Sequence, residues 1–287
     1  MIPSQSLPNH WIALAGNPNT GKTAIFNLLT GLNQKVSNYP GITVERKLGM
    51  IHFTNDQAIQ ILDLPGSYSL IPESFDEHIV SDEIFSWIHG EEKPSLILSV
   101  VDVENLSRNL YLTSQLLDLG IPIIVVLNMM DRIQEESLIL SPQQLKERLC
   151  AADVVPVSAI EKMGMERLKD SILTNLKSPP NLDEEDIPFE ITGIMRSALQ
   201  PMYQFFKEKM QYSPRLAWAQ SVRITSRKEA IKLYKSGNSD NSSLNKEKLI
   251  ELNKIHSAVQ QNLIQNTQDP STLEPQLRYR WIDGILR

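Results

Sequence analysis

Short apolar runs alternate with amphipathic stretches along residues 1–177, which is the pattern of a mostly parallel sheet flanked by helices. The apolar runs are predicted as strands at 11–15, 48–53, 58–62, 96–101, 123–127 and 154–157, and those at 96–101 and 123–127 are rich in β-branched residues. The stretches with helical spacing are predicted as helices at 24–29, 75–88, 107–119, 142–150 and 165–176. The fold class expected for this part of the chain is therefore α/β.

A segment rich in proline and acidic residues follows and marks a boundary. Residues 178–188 contain Pro179, Pro180 and Pro188 and the acidic run 183–186, so they are predicted as a linker. Beyond it, helical spacing returns at 189–210, 227–235 and 244–264, around a polar low-complexity loop at 236–243. We expect one domain over 1–177, a linker over 178–188 and a small all-α domain over 189–287.

The formal net charge of −6 divides unevenly between these parts, with −12 on residues 1–187 and +6 on residues 188–287. The acidic first part argues against nucleic acid as its partner. The mildly basic second part could face acidic lipid, the first part of the chain or only solvent. The single cysteine, Cys150, indicates a reducing compartment. Residues 1–10 lack the apolar core of a signal peptide, and the most apolar run, 121–130, is shorter than the roughly 20 residues that span a bilayer.

A loop with the spacing G-x-x-x-x-G-K-[ST] lies between the first predicted strand and the first predicted helix. It consists of Gly16, Asn17, Pro18, Asn19, Thr20, Gly21, Lys22 and Thr23. The glycines let the backbone wrap around phosphate oxygens, and the amides of residues 19–23 meet them at the positive end of the helix. Lys22 is expected to reach the β- and γ-phosphates, and the Thr23 hydroxyl to bind Mg²⁺. The pattern predicts a nucleoside triphosphate site.

A second motif closes a later strand and consists of Asp63, Leu64, Pro65 and Gly66. Taken alone it is an ordinary turn, but it follows a phosphate loop and lies at a strand end. We therefore expect Asp63 on the Mg²⁺ side of the site and the Gly66 amide facing the γ-phosphate.

Two further motifs indicate which base is bound. The first consists of Asn128, Met129, Met130 and Asp131, and the second of Val157, Ser158 and Ala159. Asp131 can accept hydrogen bonds from N1 and the amino group of guanine, and the Ala159 amide can meet guanine O6. Adenine would leave these groups unpaired, so the sequence predicts GTP rather than ATP.

The ordered motifs resemble those of the small-GTPase-like superfamily, with residues 41–43 as a further member of the set. More narrowly, residues 16–23, 38–45, 63–70 and 101–110 resemble the cytosolic region of bacterial ferrous-iron transport protein B. The resemblance is close over residues 10–177 and only architectural over 188–287, where the family has a helical regulatory domain. Residues 278–282 resemble the stretch before the family's first membrane helix.

The resemblance implies that the first mobile loop binds nucleotide through Gly41, Ile42, Thr43, Val44 and Glu45. It implies Mg²⁺ bound by Thr23, Thr43 and Asp63, a catalytic K⁺ held by Asn19, and hydrolysis carried by Lys22, Asn19, Thr43 and Gly66. Two plainer interpretations stay open, with Asn19 as a polar loop residue and Thr43 as a surface threonine.

Two residues depart from the pattern of related enzymes. Ser67 stands where Ras-like enzymes have the glutamine that orients the attacking water, so slow turnover is expected unless K⁺ or backbone groups compensate. Met129 replaces a common lysine, which predicts loose binding and quick release of nucleotide. Tyr68 is either a switch residue or an exposed aromatic residue.

The resemblance further implies the soluble amino-terminal part of a longer protein, at the cytoplasmic face of the bacterial inner membrane. Its GTP state would reshape residues 34–46 and 64–75 and report to its own transmembrane Fe²⁺ transport region. Homo-oligomerisation stays open, and nucleic acid is not an expected partner. The alternatives are a soluble GTPase of ribosome or tRNA maturation, which lacks support from any RNA-binding signature, and a helical interaction module with a degenerate nucleotide site.

Overall fold

The computed structural model of the chain describes residues 11–32, 34–38, 45–54, 57–71, 75–89, 93–133, 140–181, 187–234 and 246–287. Within these ranges seven strands form one sheet. They are β1 (Trp11–Gly16), β2 (Gln34–Asn38), β3 (Glu45–Thr54), β4 (Gln57–Asp63), β5 (Leu96–Asp102), β6 (Ile123–Asn128) and β7 (Asp153–Pro156). Their order across the sheet is β2-β3-β4-β1-β5-β6-β7.

The sheet is mostly parallel, as the sequence predicts. Strand β1 lies between β4 and β5 and runs parallel to both, and the parallel order continues through β6 and β7. Strands β2, β3 and β4 pair antiparallel. Strand β2 is missing from the predicted elements because all five of its side chains are exposed at the sheet edge, so it has no apolar alternation.

The helices within the described ranges fall into two groups, one before and one after the predicted linker. Those before it are α1 (Lys22–Thr30), α2 (Phe75–His89), α3 (Leu106–Leu117), α4 (Pro142–Leu149) and α5 (Met165–Lys177). Those after it are α6 (Gly193–Gln204), α7 (Pro214–Ser226), α8 (Lys246–Gln265) and α9 (Leu273–Leu286). The first group confirms the five predicted helices to within a few residues.

The helices of the first group cover both faces of the sheet. Ile25 of α1 and Leu168 of α5 are fully buried in a core on one face, while Leu110 of α3 and Leu145 of α4 are buried in the core on the other. This arrangement buries the central strands on both sides, which explains their nearly continuous apolar sequences.

The second group corrects the sequence prediction at several points. The predicted helix over 189–210 begins only at Gly193, because Phe189 and Ile191 are buried while Glu190 is exposed, which is the alternation of an extended segment. After Gln204 the chain continues as a π-helical turn, and the predicted helix over 227–235 is a 3₁₀ helix over Lys228–Tyr234. Helices α7 and α9 lie outside the predicted elements.

Helix α9 packs against both parts of the chain. Its Leu277 belongs to the core formed by α6–α8, whereas Ile282 and Ile285 belong to the core between the sheet and α3. Arg148 of α4 also donates a hydrogen bond of 2.5 Å to the carbonyl oxygen of Ile285. In the described part of the chain, no helix combines the length and apolar character that a membrane crossing requires.

Candidate nucleotide site

The predicted motifs converge at one edge of the sheet because each follows the carboxyl end of a parallel strand. Residues 17–21 follow β1, residues 64–67 follow β4, residues 129–131 follow β6 and residues 157–159 follow β7. Motifs of which the first and last are more than 130 positions apart in the sequence therefore lie in loops at the same edge of the sheet.

The phosphate loop depends on glycine at two close approaches. A Cβ at Gly16 would lie 2.6 Å from the carbonyl oxygen of Val100. Gly21 has φ +83°, and a Cβ there would lie 2.2 Å from Nδ2 of Asn128. Asn19 also has positive φ, at 66°, in a conformation that asparagine tolerates better than most residues. The loop thus contains three positions that most other residues would not tolerate, either because a Cβ would clash or because φ is positive.

Lys22 and Asp63 form a buried ion pair at the centre of the site. The Lys22 Nζ lies 2.5 Å from Oδ1 of Asp63, and the residues are 9% and 5% exposed. The Thr23 hydroxyl belongs to the exposed start of α1. The Thr23 hydroxyl and the Asp63 carboxylate are hard oxygen donors of the kind that Mg²⁺ prefers, so these residues fit a magnesium site.

The loop after Asp63 packs directly on the phosphate loop. A Cβ at Gly66 would lie 3.1 Å from the backbone nitrogen and Cα of Pro18, and the Ser67 amide donates to the Gly16 carbonyl oxygen at 3.3 Å. Ser67 is 1% exposed, and its hydroxyl donates to the Ser69 carbonyl oxygen at 2.5 Å. The Ser67 hydroxyl is therefore engaged within its own loop.

Asn128 ties the base motifs to the phosphate loop. Its Nδ2 donates to the Thr20 carbonyl oxygen at 2.9 Å, and its Oδ1 accepts from the Ala159 amide at 3.1 Å. Ser158 is fully buried, and its hydroxyl donates to Oδ1 of Asp131 at 2.5 Å. The Asp131 carboxylate is exposed, so one oxygen is fixed by the protein while the group still faces outward.

The remaining predicted residues divide into framework positions and positions outside the described residues. Leu64, Met130 and Val157 are buried, and the Met130 amide donates to the Val157 carbonyl oxygen at 3.2 Å, so they hold the loops rather than face a ligand. Glu45 is exposed as the first residue of β3, where it pairs with Asn38 of β2. The residues of the predicted first mobile loop outside the described ranges are Gly41, Ile42, Thr43 and Val44.

Three features of the site go beyond the sequence motifs. The sequence indicates Ser158 as a nucleotide residue but not as the group that orients Asp131. Asn17 is 2% exposed, and neither of its side-chain polar atoms has a hydrogen-bond partner among the described residues. Tyr68 is 39% exposed, and the Arg108 guanidinium lies 4.4 Å from the centre of its ring. Only tertiary packing brings these groups together, so no local signal predicts them.

The comparison with protein families agrees with this geometry. The family model described as ferrous iron transport protein B matches residues 10–172, which is more than half of the chain. The chain belongs to the ferrous iron transport protein B family. Curated relatives named Fe(2+) transporter FeoB, from Escherichia coli (strain K12) and Salmonella typhimurium, are each 46% identical over 165 residues. These matches cover 56% of the chain but 20% of each relative, so the matched part of the chain spans about a fifth of the relatives' length.

Solved structures of the FeoB family extend the similarity to α6–α9. A GDP-bound mutant of S. thermophilus NFeoB has a TM-score of 0.76 at 29% identity and covers 96% of this chain and 99% of its own. The cytosolic domain of L. pneumophila FeoB has a TM-score of 0.71 at 30% identity, with 96% and 97% covered. The fold is therefore that of a FeoB GTPase domain together with the helices that follow it.

Proposed function

We propose that this FeoB-family chain binds GTP at the carboxyl edge of its sheet and hydrolyses it to GDP and phosphate. We further propose that it regulates Fe²⁺ uptake by a transmembrane region of the full-length protein, at the cytoplasmic face of the inner membrane. The 46% identity with relatives named Fe(2+) transporter FeoB supports this view. The domain division that we propose places the GTPase domain in residues 1–177 and the helical regulatory domain in 189–287.

The observation that carries the proposal is the arrangement of Asp131. The Ser158 hydroxyl holds one oxygen of its carboxylate, and Asn128 fixes the neighbouring loops against the phosphate loop. A carboxylate oriented in this way offers acceptors to N1 and the amino group of guanine, whereas adenine has no matching pair of donors. A charged hydrogen-bonding group that the wrong base leaves unpaired is a strong source of discrimination.

The residues around the phosphates supply charge and hydrogen bonds. Lys22 would exchange its partner Asp63 for phosphate oxygens, which frees the Asp63 carboxylate for the metal side of the site. Thr23, Thr43 and Asp63 would hold Mg²⁺, which would neutralise charge on the β- and γ-phosphates. Gly66 contributes its backbone amide towards the γ-phosphate, and a Cβ there would fit only if Pro18 shifted by a few tenths of an ångström.

Hydrolysis needs a further positive charge between the β- and γ-phosphates. The Ser67 hydroxyl is engaged with Ser69, and the phosphate loop contains no arginine, so slow intrinsic turnover is expected. Asn19 is exposed at the loop and has an amide oxygen of the type that binds K⁺. We propose that Asn19 helps to hold K⁺ at the position that an arginine finger would occupy.

The guanine assignment is tested by Asp131→Asn. This variant is expected to lose about 10²-fold or more in GDP affinity and to gain affinity for xanthosine diphosphate, because the new amide donates where xanthine has a carbonyl. Asp170→Asn, on the exposed side of α5, is the matched control and should keep the guanine preference. Unchanged guanine preference in Asp131→Asn, measured by competition of fluorescent nucleotides, would contradict the assignment.

The cation proposal is tested by GTP turnover in K⁺ and in Na⁺. We expect turnover about 10-fold faster in K⁺, equivalent to about 1.4 kcal/mol of barrier. Asn19→Gly should remove most of this difference because glycine keeps the positive φ but lacks the oxygen, whereas Asn19→Asp should retain part of it. Equal rates in the two salts for the unmodified chain would refute the role of K⁺.

A further inference from the structure

A cluster of four charged side chains is buried between α3 and the helices α7 and α9. Arg278 donates to Asp118 at 2.5 Å and to Glu274 at 2.8 Å, and Arg223 lies 3.3 Å from Asp118 and 3.6 Å from Glu274. Their side chains are at most 4% exposed. Burial alone would raise the pKa of Glu274, but Arg278 and Arg223 hold it below its usual value. Glu274 is therefore an ionised carboxylate held between two arginines.

Gln115 of α3 joins this cluster to the loop that follows Gly66. Its Oε1 accepts from the Leu70 amide at 2.8 Å, and its Nε2 donates to Oε1 of Glu274 at 3.1 Å. Gln115 is fully buried and Leu70 is 3% exposed. The Leu70 carbonyl oxygen is also held, by the Ser81 hydroxyl at 2.8 Å. Through Gln115, two hydrogen bonds thus connect the backbone of the loop after Gly66 with α9.

The chemistry of these groups fixes the direction in which the Gln115 amide points. An ionised Glu274 can only accept hydrogen bonds, so the NH₂ group of Gln115 must face it. The carbonyl of Gln115 then faces the Leu70 amide, which can only donate. A buried bond to a charged group is among the stronger hydrogen bonds in proteins, so Glu274 orients the acceptor that holds Leu70.

We propose that Gln115 is a positioning residue for GTP hydrolysis, and that Glu274 of α9 orients its side chain. The proposal rests on the function proposed above. Residues 64–71 carry the Gly66 amide at one end and are anchored by Gln115 at the other. Loss of the anchor leaves the Leu70 amide buried without a partner, which favours other arrangements of the segment. The arrangement that hydrolyses GTP should then be populated less, while nucleotide contacts made by residues 16–23 and 128–159 remain.

The first test is Gln115→Met, which keeps the volume and removes both hydrogen bonds. We expect kcat to fall about 10-fold with KM for GTP within about twofold. Ser114→Ala is the matched control: the Ser114 hydroxyl accepts from Arg278 across the same interface at 3.3 Å, and among the described residues its hydrogen bonds are to Tyr111 and Arg278 and not to residues 64–71. This control should leave kcat unchanged. A lower melting temperature with unchanged kcat in Gln115→Met would show that Gln115 only joins the two parts, and would overturn the proposal.

A second test exchanges the glutamine and the glutamate between positions 115 and 274. Gln115→Glu and Glu274→Gln each change the net charge of the cluster by one unit, but the double variant restores the original charge and again allows a 115–274 hydrogen bond. We expect each single variant to lose about 10-fold in kcat and the double variant to recover most of that loss. Additive losses in the double variant would contradict the orienting role of Glu274.

Hydrogen exchange provides a measurement that does not depend on hydrolysis. In the nucleotide-free chain, peptides that contain Leu70 should exchange faster in Gln115→Met and at the unmodified rate in Ser114→Ala. Equal exchange in both variants would overturn the anchor itself. If the unmodified chain failed to hydrolyse GTP, the proposed function would fail while this measurement still decided whether Gln115 holds Leu70.

Discussion

Gly21→Ala tests whether the phosphate loop and the base motif form one unit. Gly21 has φ +83° and is the residue before α1, and the new Cβ would lie 2.2 Å from Nδ2 of Asn128. That distance is far below any ordinary contact, so Asn128 must move. It cannot move without breaking its hydrogen bond to the Thr20 carbonyl oxygen. The methyl group should therefore disturb both the phosphate loop and the loops near Asp131.

The cost of the substitution has two parts. An alanine in the left-handed region costs about 1–2 kcal/mol. Loss of the buried hydrogen bond from Asn128 to Thr20 adds about 1 kcal/mol. The free energy of unfolding should therefore fall by about 2–3 kcal/mol. GDP affinity should fall at least about 10-fold, because the shift of Asn128 releases its hold on the phosphate loop and on Ala159.

Gly31→Ala is a matched control at the other end of α1. Gly31 also has positive φ, at 62°, but a Cβ there would meet nothing within 4 Å. It should lose only the backbone term of about 1–2 kcal/mol and keep GDP affinity within about twofold. Urea unfolding and calorimetric titration with GDP measure both quantities. Equal losses of affinity in the two variants, or unchanged affinity in Gly21→Ala, would refute the reasoning.

Two other predictions concern the base site and the helical part. Ser158→Ala should lower GDP affinity about fivefold because Asp131 loses the hydroxyl that orients it, with the effect reduced by solvent at the exposed carboxylate; a titration with unchanged affinity would exclude this role. Burial, with help from Lys228, lowers the pKa of His256 below 6.5, so its contribution to stability is present above pH 6.5 and is lost as the pH falls below that value. His256→Gln should show a smaller loss of stability between pH 7 and pH 5.5 in urea unfolding, and an identical loss would contradict the assignment.

The first part of the fold could be predicted because its local signals agree with its tertiary structure. Strands such as β5 and β6 are buried on both faces and read as continuous apolar runs, and the motifs lie at their carboxyl ends. Strand β2 has no such signal because its side chains are all exposed and only its pairing with β3 defines it.

Helices α7 and α9 could not be predicted because their polar residues are buried. Gln220, Arg223 and Thr225 of α7 are at most 3% exposed, so the helix lacks the polar face on which an amphipathic pattern depends. Glu274 and Arg278 of α9 have the i, i+4 spacing of a surface ion pair. Their burial depends on Asp118, which lies more than 150 positions away in the sequence.

In the nucleotide site, the residue types were predictable but their mutual support was not. The glycines, Lys22 and Asp131 follow from motifs that encode phosphate and base chemistry. The bonds from Asn128 to Thr20 and from Ser158 to Asp131 join loops that approach only when the parallel strands are aligned in register. The sequence motifs therefore indicate which ligand binds, whereas the hydrogen bonds that join the loops can be seen only in the folded structure.

The position of α9 limits how far a change at the nucleotide site can move this helix. Glu274, near the start of α9, reaches residues 64–71 through Gln115, while Ile282 and Ile285 near its end are buried in the core that includes α3 and α4. A large rotation of α9 would expose that core, so a change at Leu70 should produce a small shift in a packed helix. Linkage then requires reciprocity. If bound GTP favours one position of α9 and so strengthens a contact made in that position, that contact must raise GTP affinity by the same factor by which GTP strengthens it.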